Sequence, residues 1–480
     1  MRTLRPLLIV AGVTALAGCA IPPRPQAPAL TTAAPLAGVS GTVAAAWPDQ
    51  VWWQRYHDEQ LDALESRALA GAPTLAVARA RFDEAVRAID VAAGEGGLDI
   101  NANAQVQRER LSEHGLIPPK FLGFTWYNQG DLNLSFKYDF DFWGRKGHAV
   151  AAATDRARAG SAERDAATAM LTSAVADTYF SWQATQQRVA LAGELTTVQE
   201  RMRAIAAARA RQEIDSPDIV LQSDAQLAAA REQAALLAGT AEIQRAALAA
   251  LLGVAPADVE LKARDLPQPS ALLPANASLD LIARRADVAA SRWRVEAALR
   301  DADVARDAFY PDISISALLG LQSIDLGKLF SAGSRTMSIG PALHLPVFDN
   351  GKLHARFGAS QAALQLAIAD YDAAVVDAAR EVATQALTLQ QVQARQHEHV
   401  AQVAAAENLL KSAQARENRG VIDARPVLAA TAELQRQRDA EIQLDAAALS
   451  AEIALTKALG GGYGSGTHND SNAASGATSP

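Results

Sequence analysis

The chain is poor in the residues that usually build a thick core or a reactive site. One cysteine among 480 residues excludes an internal disulfide and a cysteine-rich metal site. Aromatic residues make up only 5%, and alanine carries much of the apolar fraction, which suits long, thin, closely packed helices better than a bulky interior. No basic run occurs and the net charge is a modest -8, so the footprint of a nucleic-acid binder is missing. There is no nucleophile-and-base arrangement, Gly-rich phosphate loop or paired catalytic carboxylate, so no catalytic residue, enzyme activity or cofactor chemistry is expected. His397-Glu398-His399 has the look of a metal cluster, but residues two apart on a helix point to different sides, and a solvated helix face with no metal is expected. Proline is absent from residues 146–212 and 352–417, and an uninterrupted helix over either stretch would reach roughly 100 Å.

What the chain does have is a second copy of itself. A shift of 207 places Gly144 on Gly351, Asp165 on Asp372, Arg188 on Arg395, Leu227 on Leu434, Leu248 on Leu455 and Gly253 on Gly460, without an insertion. Register held over that distance means two helical hairpins of equal length, because a one-residue slip rotates a buried stripe by about 100°.

Ahead of each helical stretch, apolar and polar residues alternate with period two. Ile100, Ala102, Ala104 and Val106 alternate with Asn101, Asn103, Gln105 and Gln107; Leu132, Leu134, Phe136, Tyr138 and Phe140 alternate with Asn133, Ser135, Lys137 and Asp139. In the second copy Ile313, Ile315, Ala317, Leu319 and Leu321, and then Met337, Ile339, Pro341, Leu343 and Leu345, define the apolar face, with a weaker polar face at Ser314, Ser316, Leu318 and Gly320. Strands of about ten residues with one apolar and one polar face fit a transmembrane barrel. Four strands cannot close one, and an open edge in lipid strands its backbone groups. The chain is therefore expected to form a homotrimer, the smallest ring of copies whose twelve strands leave a water-filled bore. The two strand hairpins differ in length by six residues, as outer loops would. Phe121, Phe124, Trp126 and Tyr127 in the first outer loop read as an interfacial aromatic girdle or as loop packing.

The expected organisation is a signal peptide over 1–18, a tether over 19–45, a first repeat over 46–253, a second over 254–459 and a disordered tail over 460–480. The first repeat holds an entry helix, a strand hairpin at about 99–142 and a helical hairpin at 145–253. The second holds a linker and helix at 254–308, a strand hairpin at about 312–347 and a helical hairpin at 352–459. Arg2 and Arg5 precede an apolar run from Leu7 to Ala17 that is too short to span a membrane and reads as a secretory signal. It ends Leu16-Ala17-Gly18-Cys19, which resembles the bacterial lipoprotein cleavage box, and implies an N-palmitoyl group and an S-diacylglycerol on Cys19. Ala20 follows where an inner-membrane retention signal would have Asp, which favours an outer-membrane address. Pro22, Pro23, Pro25, Pro28 and Pro35 make the next segment an extended tether leading away from the lipid.

Each long helix breaks at a matching place, Ile214-Asp215-Ser216-Pro217-Asp218 and Gly420-Val421-Ile422-Asp423-Ala424-Arg425-Pro426, with returning helices at about 219–252 and 427–459. Both turns carry carboxylates, and Asp423 corresponds to Ser216.

Several short motifs now combine. Trp52-Trp53 with Asp58, Leu61 and Leu64 resembles the entry helix of the outer membrane factor family, the TolC-like efflux channels; Phe142-Trp143-Gly144-Arg145 and Pro346-Val347-Phe348-Asp349-Asn350-Gly351-Lys352 resemble its strand-to-helix junctions. Arg284-Arg285-Ala286-Asp287-Val288 resembles a family segment with proline where Ala286 stands. The chain is identified as resembling a lipoprotein of this family's NodT-type branch. The resemblance implies an α+β membrane protein: a trimeric twelve-stranded β-barrel, four strands per chain, continued by a long α-helical coiled-coil barrel in the periplasm. It implies a passive exit duct in the outer membrane for drugs or other small toxic compounds, joined to a periplasmic adaptor and an inner-membrane transporter, in contact with lipid and with no nucleic acid. Type I secretion uses the same kind of duct, and a structural coiled-coil lipoprotein is the rival without a channel. The family narrows its periplasmic end with acidic rings and polar links. The candidates here are Asp215, Asp218 and Asp423, with Arg416, Arg419 and Arg425 as partners, against the plainer reading of helix-capping and turn aspartates.

Overall fold

In a computed structural model, residues 21–26, 28–35, 47–114, 118–269 and 277–463 are described. The signal and Cys19 lie outside them, as does the tail beyond Tyr463. After a 3₁₀ turn at Trp52–Tyr56 the order is α1 (Glu59–Gly71), α2 (Pro73–Gly94), β1 (Asp99–Arg110), α3 (Pro119–Leu122), β2 (Trp126–Phe140), α4 (Arg145–Arg211), α5 (Pro217–Leu252), α6 (Ala277–Arg284), α7 (Ala286–Asp307), β3 (Asp312–Ser323), β4 (Arg335–His344), α8 (Lys352–Asn418) and α9 (Ala424–Ala458). The chain divides into two compact units, one of 1–29, 83–158 and 292–369, the other of 30–82, 159–291 and 370–480.

The duplication is visible element by element. The long helices α4 and α8 have 67 residues each, and α2 and α7 have 22 each. Pro73 aligns with Ala286 and Asp99 with Asp312, a shift of 213 that becomes 207 after the strand hairpins. Four of the six residues are lost in the loops, where 15 residues separate β1 from β2 and the shorter second connection, 324–334, carries two 3₁₀ turns; the other two are lost between the loop and the long helix. Both returning helices begin earlier than their prolines suggest. Ser216 caps α5, so Pro217 sits at the first helical position, and Asp423 caps α9, so Pro426 falls within its first turn; there a missing N–H is no loss.

The first unit contains one antiparallel sheet in the order β1-β2-β3-β4. Its register keeps the two faces intact across all four strands. Ala102 lies opposite Leu134, Leu134 opposite Leu319 and Leu319 opposite Met337; one row on, Ile100, Phe136, Ala317 and Ile339 line up likewise. The alternate rows are Asn101, Ser135, Leu318 and Ser338, and Asn103, Asn133, Gly320 and Thr336. Gly320 is needed in its row, because a Cβ there would come 2.7 Å from that of Asn133. The apolar face is open, with Met337 81% and Ile339 75% exposed. Aromatic residues cluster at both ends of that sheet. At one, Arg108 lies over Trp126 and Phe124 packs edge-on to Tyr127; at the other, Phe140 stacks on Phe142 and Trp143 on Tyr310.

The second unit has its core around the entry segment. Trp52, Trp53 and Tyr56 pack with Leu61, Leu64 and Ala68 of α1 against Leu171, Val175 and Tyr179 of α4, Leu248 and Leu252 of α5, and Leu449 and Ile453 of α9. Asp58 caps α1 and accepts a 2.6 Å hydrogen bond from the Tyr179 hydroxyl. The repeats end alike here. Gly253 and Gly460 both have positive φ; a Cβ on the first would meet Pro73 Cδ at 2.8 Å, and one on the second would overlap the Arg284 carbonyl.

Three expectations are corrected. The tail expected to be disordered from Gly460 is packed as far as Tyr463, because Gly461 fits against Ala169 and Gly462 against the Asp49 backbone. The tether is not a free spacer where described: Arg306 Nε donates to Pro22 O at 3.0 Å in the first unit, and Tyr371 Oη to Thr31 O at 2.9 Å in the second. His399 is buried rather than solvated, its Nε2 donating to Gln437 O at 2.9 Å, whereas His397 faces out. Among the described residues no group of His, Cys, Asp and Glu is placed to hold a metal ion.

Candidate functional site

The helix breaks expected to carry the gate are two turns of one backbone design. After α4, Ile214 N–H bonds Arg209 O at 3.0 Å; after α8, Val421 N–H bonds Arg416 O at 3.0 Å. Both close with a left-handed residue, Glu213 in one and Gly420 in the other, the usual way to satisfy terminal helix carbonyls. Backbone geometry is therefore shared, and the side chains make the difference.

In the first turn Arg209 grips Asp215 with two hydrogen bonds, Nε to Oδ2 at 2.6 Å and Nη2 to Oδ1 at 3.0 Å. In the second, Asp423 Oδ1 accepts the Arg425 N–H at 3.1 Å while Arg425 Nη2 lies 2.8 Å from Asp423 Oδ2. Arg425 also reaches across to Asp215, 3.7 Å away. Four charges thus form one chain, Arg209 to Asp215 to Arg425 to Asp423, that ties the turn of the first hairpin to the turn of the second. Hydrogen bonding from Arg209, with the charges of Arg209 and Arg425, holds Asp215 below the usual carboxylate range; hydrogen bonds and charge from Arg425 do the same for Asp423.

Of the residues singled out in the sequence, the fold brings together Asp215, Asp423 and Arg425. It leaves Asp218 exposed in the first turn of α5, and Arg416 and Arg419 exposed at the end of α8, outside the network. The capping reading is correct for Asp423, which caps α9 and forms an ion pair as well. Arg209 was not anticipated. Its signal was present: it is a last-turn cation six residues before an aspartate, and its counterpart is also an arginine, Arg416.

Below these turns, the hairpins are laced by matched pairs. Arg231 meets Glu200 at 2.8 Å in the first, and the equivalent Arg438 meets Glu407 at 3.5 Å in the second. Between repeats, Arg188 and Asp439 form a two-point pair at 2.7 and 3.3 Å. Arg285, nearly buried, joins Asp287, Glu381 and the Ala458 carbonyl at 2.6 to 2.9 Å, and Lys457 adds a 3.1 Å contact to Glu381. Burial disfavours the Arg285 charge, but these partners outweigh it and hold its pKa above normal.

The model of a family described as outer membrane efflux protein matches the chain twice, at residues 64–254 and 278–461. The multidrug resistance outer membrane protein MdtQ of Escherichia coli O157:H7 is 34% identical over 473 residues, 95% of this chain and 97% of that protein. MdtP of Escherichia coli K12, also described as a multidrug resistance outer membrane protein, is 31% identical over 469 residues, 95% of this chain and 96% of that protein. Among solved structures, the outer membrane protein VceC of Vibrio cholerae superposes with a TM-score of 0.75 at 32% identity, covering 87% of this chain and all of that one. The fold class is that of these channels, a trimeric twelve-stranded barrel to which each chain gives four strands, continued by helices in the periplasm. The chain belongs to the outer membrane efflux protein family and is an outer-membrane efflux duct.

Proposed function

We propose that this duct is the exit of a three-part efflux system, joined by a periplasmic adaptor to an energised inner-membrane transporter, and that drugs or other small toxic compounds leave through it passively. The observation that carries the reading is the sheet register: an apolar face runs unbroken over four strands opposite a mainly polar one, and among the described residues the outer edges of β1 and β4 have no strand partner. Such edges are satisfied in lipid only by other copies. The names of the relatives, multidrug resistance outer membrane proteins, support small toxic compounds as cargo.

In this reading Cys19 carries an N-palmitoyl group and an S-diacylglycerol, as in the NodT-type lipoproteins. The network of Arg209, Asp215, Arg425 and Asp423 is the clasp of the resting periplasmic end. A threefold assembly repeats it three times, and adaptor engagement separates the turns. Conductance in planar bilayers tests the clasp. Asp215→Asn or Arg425→Ala should raise single-channel conductance and antibiotic leakage into cells, and parental values for both variants would remove the network from the gate.

A further inference from the structure

Residues that join the two repeats within a chain have counterparts, 207 positions away, that are exposed. Helices α4 and α9 run antiparallel and meet at Arg188 and Asp439, at Glu194 and Gln435, 2.6 Å apart, and at Asp177 and Ser450, 2.6 Å apart. Val198, Leu428 and Ala432 are buried beside these contacts. The shift turns α4 into α8 and α9 into α5. Arg188 becomes Arg395 and Asp439 becomes Glu232, so opposite charges recur in the same sense. Both are exposed and, among the described residues, neither has an ion-pair partner. On α9, Leu428, Ala432, Gln435 and Asp439 form one stripe; on α5 it becomes Leu221, Ala225, Ala228 and Glu232. Leu221 is 67% exposed where Leu428 is 9%. The pair Glu194 and Gln435 becomes Ala401 and Ala228, small residues that permit close approach. At the turn, Asp218 stands where the second repeat has Arg425, and Ile422 stands where the first has Asp215. Arg416, the counterpart of Arg209, thereby has no aspartate at the position equivalent to Asp215, and Asp423 in its turn is paired with Arg425.

We propose that α5 of one copy packs on α8 of the next in the register that α9 and α4 use within a chain, pairing Arg395 with Glu232 and Arg416 with Asp218 across the joint. The proposal rests on the trimeric channel and adds the register and partners of its helical joints. Six hairpins in a ring have three joints within chains and three between. Helices of equal length repeated in register let one geometry serve both. A slip of one residue would turn the stripe by about 100° and separate both pairs.

The test uses the full-length protein in membranes. Arg395→Cys combined with Glu232→Cys, treated with a short bis-maleimide, should give covalent dimers and trimers. Arg188→Cys with Asp439→Cys should link within one chain and keep monomer mass. Cys19 is present in every sample, including the parental control. In parallel, Arg395→Glu should lower the temperature at which the trimer dissociates in SDS by a few degrees, and adding Glu232→Arg should restore it. Monomer-only products from the first pair, with the second pair reacting and native mass still trimeric, would overturn this register and leave the channel intact. A monomeric native mass in the parental protein would overturn the channel and the joint together.

Discussion

Glu65 is fully buried on α1, and neither carboxylate oxygen has a hydrogen-bond partner. Burial, helped by the charge of Asp62, pushes its pKa up to about 9. A carboxyl raised above its unfolded value contributes most below the ordinary carboxylate range and loses that contribution as pH rises toward 9, because the unfolded chain ionises first. Glu65→Gln should therefore stabilise the protein at pH 7 by on the order of 1 kcal/mol, more at pH 9 and hardly at pH 4, read as the melting temperature of detergent-purified protein. Asp215 has the opposite sign. Its lowered pKa means the Arg209 contact is present above the usual carboxylate range and lost as pH falls through the lowered value. Channel conductance should accordingly stay flat from neutral pH down to about that range and rise only in stronger acid, and the rise should vanish in Asp215→Asn. Glu65 was not legible in the sequence, where it looks like any surface glutamate of an amphipathic helix; Asp215 was legible as a candidate for the gate, but its partner Arg209 was not.

At the scale of elements, sequence and structure agree where local pattern decides. Period-two alternation identified all four strands, and the matched 207-residue repeat anticipated two 67-residue helices. The weak polar face of β3 did not mislead, because Leu318 and Gly320 sit in rows completed by Ser135, Ser338, Asn133 and Thr336 from neighbouring strands. Local pattern failed at the C-terminal glycines. A Gly-rich stretch reads as disorder when its partners are unknown, yet Gly253 and Gly460 are backbone seats against the end of a short helix, at Gly71 of α1 for the first and at Arg284 of α6 for the second. Gly253→Ala should destabilise by roughly 1 to 3 kcal/mol, since it combines positive φ with a tight contact. Gly460→Ala should cost more because its Cβ has no space at all; thermal unfolding of the two variants side by side checks the order.

For the whole molecule, the open edges of β1 and β4 and the exposed apolar sheet face have one physical resolution, closure by copies in lipid. The purified protein should migrate as an SDS-resistant trimer that heating dissociates, and should form discrete conducting channels in bilayers. Cys19→Ser should abolish palmitate labelling yet leave the protein in the outer-membrane fraction, because a spanning barrel holds far more firmly than one lipid anchor. Loss from that fraction would show that the lipid, not the barrel, retains it.

By itself the sequence determined the repeats, the strand faces, the length of the helices and the family, because all of these are written as periodicity and spacing along the chain. Only the tertiary structure decided which charges meet. Arg425 lies 210 residues from Asp215 in the chain and within ion-pair distance of it in the fold, and Arg188 finds Asp439 rather than a partner on its own hairpin. A helical period tells which face a residue occupies, whereas its partner depends on how two helices are set side by side, and that is a property of packing.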